Sequence, residues 1–150
     1  IILDPIIKPT GSRKLIEKNS IKVIKKLVRY SHLITPNLQE LNLLTDKKNN
    51  KEANIKMMLD MSARNILLTG IDGDRGIINE LYGENEIKFS LRKYQGSYRG
   101  TGCALSSAIA CNLYNDLGLQ ESIKFASEHI NKFIKSSYII GTGAQILKRS

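Results

Sequence analysis

The segment Gly100-Thr101-Gly102-Cys103 combines residue types that could hold an anion beside a nucleophilic sulfur. Small residues and a helical pattern follow it, so the glycines stand at the start of a predicted helix. The first backbone N–H groups of a helix lack intrahelical partners and carry the positive end of the helix dipole. Glycine lets a phosphate approach that backbone, and the same field favours a cysteine thiolate. The alternative is a plain glycine-rich loop with a buried cysteine.

Asn37 and Glu40 form a second constellation, directly after the predicted strand end Thr35-Pro36. They are three residues apart and share one face of a predicted helix. Ligands of open α/β sheets bind at strand ends, and this oxygen pair suits Mg²⁺, usually held through water. The alternative is a capping box, in which Asn37 caps the helix and Glu40 reaches back. Asp4 also follows a strand, and by itself it is an ordinary turn aspartate.

Other nucleotide and metal motifs do not occur in the sequence. There is no GxxxxGK[ST] segment, and Gly70-Ile71-Asp72-Gly73 lacks the GxGxxG pattern, so any nucleotide site must use another fold. Cys103 and Cys111 lie eight apart in one predicted helix, about 12 Å along its axis and too far for a disulfide. With no Cys/His cluster, they are interpreted as reduced cytoplasmic thiols rather than metal ligands.

Strands and helices alternate through the first half, which predicts an α/β layered sheet. Gly118 is expected to end the helix that starts at Thr101, and residues 94–99 are expected to form a loop. The other elements predicted from periodicity and turn residues are strands at 1–3, 33–35 and 65–69, a hairpin of 76–82 and 86–91, and helices around 21–29, 38–44, 57–61, 101–117 and 120–136, with a glycine-rich turn at 141–143.

The length of 150 residues fits one domain, and 41% apolar residues fit a globular class. No apolar run approaches the roughly 20 residues of a membrane span. The net charge of +9 comes from dispersed lysines, which favours a solvated surface over a nucleic-acid-binding module. The chain begins inside a hydrophobic strand without Met, so an upstream portion is expected.

Taken together, these segments resemble the hydroxymethylpyrimidine/phosphomethylpyrimidine kinases of the ribokinase superfamily. The resemblance spans nearly all 150 residues and places the chain as the C-terminal part of one kinase domain, with the N-terminal half absent. The GTGC helix start is specific, because most ribokinase relatives have aspartate where this subgroup has cysteine. The segments that carry the resemblance are Leu3-Asp4-Pro5, Ile34-Thr35-Pro36-Asn37 with Glu40, Leu67-Leu68-Thr69-Gly70, Gly100-Thr101-Gly102-Cys103 and Ile140-Gly141-Thr142-Gly143.

That resemblance implies phosphorylation of hydroxymethylpyrimidine and its monophosphate in thiamine biosynthesis, with ATP and Mg²⁺, by a cytoplasmic enzyme that is a homodimer when complete. Cys103 would be the catalytic base, and Ile6 would border the pyrimidine. The remaining implied roles are stabilisation of the transferring phosphoryl by Gly100, Thr101 and Gly102, nucleotide binding by Thr69, Gly70 and Asn37, and Mg²⁺ binding by Asp4, Asn37 and Glu40.

Two residues depart from the family pattern. Thr69 stands where the family usually has lysine, and Arg99 stands where histidine is common. Threonine at position 69 resembles the pattern of pyridoxal kinases, so pyridoxal is the alternative substrate. A catalytically inactive nucleotide-binding or regulatory fragment is a further alternative. In every kinase reading the partner is a small molecule, with neither nucleic acid nor membrane.

Overall fold

The computed structural model describes residues 1–7, 18–46, 50–74 and 76–148. The sequence also predicts a loop at 8–12 and a polar, charged loop at 47–51. The first lies outside the described residues, as does most of the second. The chain forms two compact units. The first unit contains residues 1–73 and 77–90, and the second contains residues 74–76 and 91–150.

The first unit is built on a sheet of five strands in the order β1-β2-β3-β4-β5. β1 pairs in parallel with β2, and β2 pairs in parallel with β3. A short connection joins β3 to β4 and another joins β4 to β5, whereas parallel neighbours need long crossovers. β4 and β5 therefore form the predicted hairpin, and β3 and β4 form a second hairpin. The strand bounds are Ile2–Leu3, Leu33–Ile34, Ile66–Gly73, Gly76–Tyr82 and Ile87–Leu91.

Three helices accompany this sheet: α1 (Lys18–Leu27), α2 (Leu38–Thr45) and α3 (Lys51–Asp60). A 3-10 turn at Val28–Tyr30 extends α1. Apolar residues recurring at helical spacing give each helix a face that it buries. The buried core they form with the strands consists of Ile7, Ile21, Val28, Ile34, Leu41, Leu44, Ile55, Met58, Ala63, Ile66 and Leu68. The methionines near the end of α3 are predicted to be core residues, and Met58 confirms this by its place in the buried cluster.

The second unit contains α4 (Thr101–Tyr114) and α5 (Leu119–Lys135), with a two-stranded parallel sheet of β6 (Tyr98–Arg99) and β7 (Gln145–Ile146). The two helices pack against each other, and the Asn112 side-chain amide donates to the Ser122 carbonyl at 3.0 Å. The residues of this helix pair that are buried are Leu105, Ser106, Ile109, Ser122, Ile123, Ala126, Ser127 and Ile130.

The α/β class and the order of elements are confirmed, but three local predictions were wrong. Residues 94–99 were expected to be a loop, yet Tyr98–Arg99 is a strand paired with β7. α4 stops at Tyr114 and not at Gly118, and Asp116 takes a left-handed conformation (φ 61°). Gly118 has φ −61° and is instead the N-cap of α5.

The third wrong prediction concerns the strand expected to stop at Thr69. β3 continues through Gly70 to Gly73, because its second half belongs to a hairpin with β4. Within the described ranges, no helix has the length and hydrophobicity needed to cross a bilayer.

Candidate functional site

The ends of the three parallel strands lie side by side in the first unit. Thr35 N–H donates to the Leu3 carbonyl at 3.1 Å, and Thr69 N–H donates to the Pro36 carbonyl at 2.9 Å. An isolated parallel bridge also joins Asn37 to Thr69. Asp4 and Asn37, which follow β1 and β2, and Thr69, which lies within β3, are therefore brought together at one end of the parallel strand pairing.

A tight turn follows β1 at this edge. Ile6 N–H donates to the Asp4 carbonyl at 3.0 Å, which bends the chain over Pro5. Ile6 is 38% exposed, whereas Ile7 is fully buried and anchors the turn in the core. The Ile6 side chain is accessible enough to contact a ligand at the strand ends, in keeping with its predicted place beside a pyrimidine.

Asn37 and Glu40 form a complete capping box at the start of α2. Asn37 Oδ1 accepts from the Glu40 N–H at 2.9 Å, and Glu40 Oε2 accepts from the Asn37 N–H at 3.0 Å. Glu40 Oε1 also accepts from the Ile7 N–H at 3.3 Å, and the residue is only 5% exposed. The capping alternative is therefore present in the structure, and both carboxylate oxygens have backbone donors.

This geometry limits how a metal ion could be held. Among the residues that the structure describes, no group of three or more His, Cys, Asp and Glu side chains could hold an ion. The side chains of Asn37 and Glu40 are already hydrogen-bonded to backbone N–H groups. These two residues therefore do not form a ready set of direct ligands for a metal ion. Mg²⁺ commonly retains several waters and binds through one or two carboxylates and substrate phosphates. The residues fit an ion held in that indirect way.

Thr69 and Gly70 form a bend within β3. Gly70 has φ +72°, a conformation that L side chains rarely adopt, and a Cβ built there would meet no atom within 4 Å. Its N–H donates to Asn79 Oδ1 at 3.0 Å. The Thr69 hydroxyl makes a long contact of 3.4 Å to the Pro36 carbonyl. Both backbone amides of the bend are thus occupied, and its ligand-binding capacity lies in the Thr69 hydroxyl and the open space at Gly70.

The Gly100–Cys103 segment forms the start of α4 in the second unit. Gly100 is the N-cap with φ 80° and ψ 12°, and it provides no side-chain cap. Its carbonyl accepts the first helical hydrogen bond, from the Ala104 N–H at 3.0 Å. Gly102 has no atom within 4 Å of a built Cβ. This 14-residue helix therefore starts at Thr101 as the sequence predicts, with an open first turn, and phosphate binding there stays a prediction.

Both cysteines lie on α4, and both are exposed. Cys103 is in the first turn, close to the positive end of the helix dipole, whereas Cys111 is in the last turn. The alternative of a buried cysteine in a glycine-rich loop was wrong for Cys103, because it is helical and open to solvent. Exposure at a helix start is the setting in which a thiolate can act as a base or nucleophile.

A polar cluster around Glu80 was missed from the sequence. Glu80 is 4% exposed, and its carboxylate contacts Lys51 Nζ at 2.8 Å and Lys88 Nζ at 3.2 Å. The Tyr82 hydroxyl donates to Glu80 Oε2 at 2.6 Å. These contacts tie the start of α3 to β4 and β5. A signal was available, because Asn79-Glu80 interrupts the apolar run of a predicted strand.

The charges in this cluster are strongly coupled. Burial would raise the pKa of Glu80, but hydrogen bonds from Lys51, Tyr82 and Lys88 outweigh it and lower that pKa. The hydrogen bond to Glu80 raises the pKa of Lys51 against the opposing effect of burial. Burial, with the hydrogen bond to Glu80, raises the pKa of Tyr82 to about 12. All three groups keep their ordinary charge states at neutral pH, which suits a structural cluster.

Comparisons with known proteins find matches over nearly the whole chain. A family model described as phosphomethylpyrimidine kinase matches residues 1–148. A hydroxymethylpyrimidine/phosphomethylpyrimidine kinase of Aquifex aeolicus is 29% identical over 155 residues, covering 98% of this chain and 61% of that protein. A thiamine biosynthesis bifunctional protein of Geobacter sulfurreducens is 31% identical, covering 95% of this chain and 31% of that protein. The chain thus spans less than two thirds of the length of these relatives.

Solved structures show the same fold. Bacillus subtilis pyridoxal kinase, in a complex with ADP, has a TM-score of 0.85 at 22% identity, with 99% of this chain and 59% of that chain covered. Staphylococcus aureus pyridoxal kinase, in complex with AMP-PCP and pyridoxal, has a TM-score of 0.83 at 21% identity, with 99% and 56% covered. The predicted ribokinase-like α/β fold is confirmed by these structures.

Proposed function

Since this chain belongs to the phosphomethylpyrimidine kinase family, we propose that its protein uses ATP and Mg²⁺ to phosphorylate hydroxymethylpyrimidine and its monophosphate in thiamine biosynthesis. The family match over residues 1–148 is the observation that carries the proposal. Each unit offers groups of the kind that such a reaction uses: polar residues after strands in the first unit and an open helix start in the second. The family consists of small-molecule kinases, so the chemistry is phosphoryl transfer.

In the proposed reaction, Cys103 removes the proton from the substrate hydroxyl or phosphate oxygen. That oxygen forms a bond to the γ-phosphorus while the bond from phosphorus to the ADP oxygen breaks. Backbone N–H groups of the segment Gly100–Gly102 stabilise the negative charge on the transferring phosphoryl group. Phosphoryl transfer depends mainly on positioning and on charge stabilisation, so few side chains are needed.

The residues at the strand ends have the other proposed roles. The Thr69 hydroxyl, Gly70 and Asn37 contact the nucleotide, and Ile6 borders the pyrimidine. Mg²⁺, when bound, would neutralise phosphate charge. Asp4 together with the Asn37–Glu40 pair would hold it, mostly through water.

Pyridoxal is the competing substrate. Thr69 stands where the resemblance to hydroxymethylpyrimidine kinases leads us to expect lysine, and the solved structures with this fold that were compared above are pyridoxal kinases. The family match and the named relatives favour hydroxymethylpyrimidine. Thr69 also supports the alternative of an inactive nucleotide-binding form, because a threonine supplies no positive charge to the phosphates.

The test is ADP release by the purified protein with hydroxymethylpyrimidine, its monophosphate or pyridoxal, each with and without Mg²⁺. We expect turnover with both pyrimidines that requires Mg²⁺, and kcat/KM for pyridoxal at least about tenfold lower, the discrimination of one or two pocket contacts. Turnover with pyridoxal alone would replace the substrate assignment. ATP binding without turnover on any substrate would leave the inactive form. Sedimentation and cell fractionation would test the proposed homodimer and cytoplasmic location.

A further inference from the structure

Asn79 is a polar residue that is buried in the first unit. It lies on β4, where Ile77 and Ile78 precede it, and it is 2% exposed. Burying an amide side chain is costly unless it makes hydrogen bonds, and an apolar residue of similar size would fill the same volume. Its side-chain oxygen accepts a hydrogen bond from the N–H of Gly70, at 3.0 Å on the neighbouring strand.

Gly70 is the point at which β3 leaves regular strand geometry. Its φ of +72° prevents the ordinary backbone ladder, so its N–H needs a different acceptor. Asn79 Oδ1 supplies that acceptor from inside the sheet. Gly70 itself is exposed, and a built Cβ would meet no atom within 4 Å. The bend is therefore held by the buried Asn79 side chain and has open space at Gly70.

The adjacent residue, Thr69, is fixed at two points. Its own N–H is held by the Pro36 carbonyl at 2.9 Å, and the next peptide is held by Asn79 through Gly70. Among the described residues, the Thr69 hydroxyl contacts Pro36 O at a long 3.4 Å, and a stronger acceptor could displace this contact. A phosphate oxygen is such an acceptor, and a charged acceptor gives a shorter and stronger bond.

We infer that Asn79 is a positioning residue for nucleotide binding: through the Gly70 N–H it fixes the bend that presents the Thr69 hydroxyl to an ATP phosphate. This inference rests on the proposed function, because it takes Thr69 and Gly70 as part of the nucleotide site. It assigns to the buried Asn79 amide on β4 a role that neither the Thr69-Gly70 segment nor the strand pattern indicates. The Asn79 side chain itself does not touch the ligand.

The experiment measures ATP dissociation constants by calorimetry on the purified protein, so that the readout does not depend on turnover. Asn79→Leu removes the acceptor at similar volume and should weaken ATP binding about tenfold, the worth of one good hydrogen bond. Asn79→Asp retains an oxygen acceptor at the same place and should bind within about threefold of wild type. If Asn79→Leu does not fold, Asn79→Ala replaces it with the same expectation.

A double-mutant cycle separates positioning from general loss of stability. Thr69→Val removes the hydroxyl, and adding Asn79→Leu to it should cost little further affinity, because the two residues act through one contact. Asn54→Leu is the matched control: Asn54 is fully buried, and its amide donates to Asn42 Oδ1 at 2.7 Å in a different part of the unit. It should lower the melting temperature without changing ATP affinity.

Each outcome decides between the two proposals. Wild-type ATP affinity in Asn79→Leu, additive effects with Thr69→Val, or equal weakening in Asn79→Asp and Asn79→Leu would each overturn the inference alone. ATP binding by wild type without turnover would overturn the proposed function. The double-mutant cycle of Asn79 and Thr69 would then decide the inference about Asn79. A wild-type protein that does not bind ATP would overturn both.

Discussion

Asn37 and Glu40 hold each other in place through reciprocal hydrogen bonds of 2.9 and 3.0 Å between side chain and backbone. The same pair is proposed to bind hydrated Mg²⁺. The two roles are compatible only if Glu40 can serve a hydrated ion while its oxygens accept backbone donors. This relationship makes Glu40 the most informative residue for the metal proposal.

Glu40→Gln should separate capping from metal binding. The amide keeps one acceptor oxygen and loses the other, so unfolding free energy should fall by about 1 kcal/mol. If Glu40 also serves the ion, the Mg²⁺ concentration for half-maximal activity should rise, because a neutral amide attracts a cation less. Urea unfolding and Mg²⁺ titration of turnover are the measurements.

Glu121→Gln is the control for this substitution, since Glu121 is an exposed acidic residue in the first turn of α5. It should change neither stability nor Mg²⁺ requirement appreciably. A loss of stability in Glu40→Gln with an unchanged Mg²⁺ requirement would leave Glu40 a capping residue only.

Cys103→Ala should reduce kcat by about 10²–10⁴-fold, the usual contribution of a positioned general base. ATP affinity should change little, because the proposed phosphate contacts of this segment come from backbone. Turnover and ATP calorimetry are measured on the same preparation. Cys111→Ala is the matched control, an exposed cysteine on the same helix, and should retain wild-type turnover. Full activity of Cys103→Ala would remove the sulfur from the mechanism.

Alkylation provides a second measure of Cys103 that needs no substrate. The helix start favours a thiolate at Cys103, whereas Cys111 lies in the last turn. Iodoacetamide near neutral pH should therefore modify Cys103 faster, and ATP should slow that reaction. Peptide mass spectrometry over time gives both rates. Equal rates at the two cysteines would argue against activation by the helix.

Gly70→Ala and Gly102→Ala should change stability in opposite directions, although a Cβ at either position meets no atom within 4 Å. At Gly70 the φ of +72° strains any L side chain, so alanine should cost about 1 kcal/mol. At Gly102, inside α4, alanine should gain about 0.5–1 kcal/mol by restricting the unfolded chain. Chemical unfolding of both variants tests the pair; a stabilising Gly70→Ala would contradict the left-handed bend.

Glu80→Gln should lower stability at neutral pH by about 1–3 kcal/mol, because it weakens buried hydrogen bonds with Lys51, Lys88 and Tyr82. It should also flatten the acid side of the stability curve. The pKa of Glu80 is lowered from 4.5 in the folded protein, so its contribution is present above that value. The contribution is lost as pH falls through the lower folded pKa.

Melting temperature measured from neutral pH into acid tests this slope. The control is Glu84→Gln at the exposed tip of the β4–β5 connection, which should follow the wild-type curve. Parallel acid limbs for wild type and Glu80→Gln would show that Glu80 does not titrate with a lowered pKa.

The predictions that succeeded depended on short-range features. The capping box joins Asn37 to Glu40 across three residues, so the motif and its hydrogen bonds are encoded locally. The start of α4 at Thr101 likewise follows from glycines placed before a helical pattern. The glycine signal predicts the end of α4 at Gly118, but the residue in the left-handed conformation is Asp116.

The sequence by itself determined the α/β order, the positions of Asp4 and Asn37 after strands, and the start of the helix that carries Cys103. Only the tertiary structure decided which acceptor holds the Gly70 amide, which donors surround Glu80, and that Tyr98 pairs with Gln145. The contacts Gly70–Asn79, Lys51–Glu80 and Tyr98–Gln145 join residues 9 to 47 positions apart, and they form only when strands or helices pack. Periodicity and capping reflect neighbours within about one helical turn, so they carry no information about such partners.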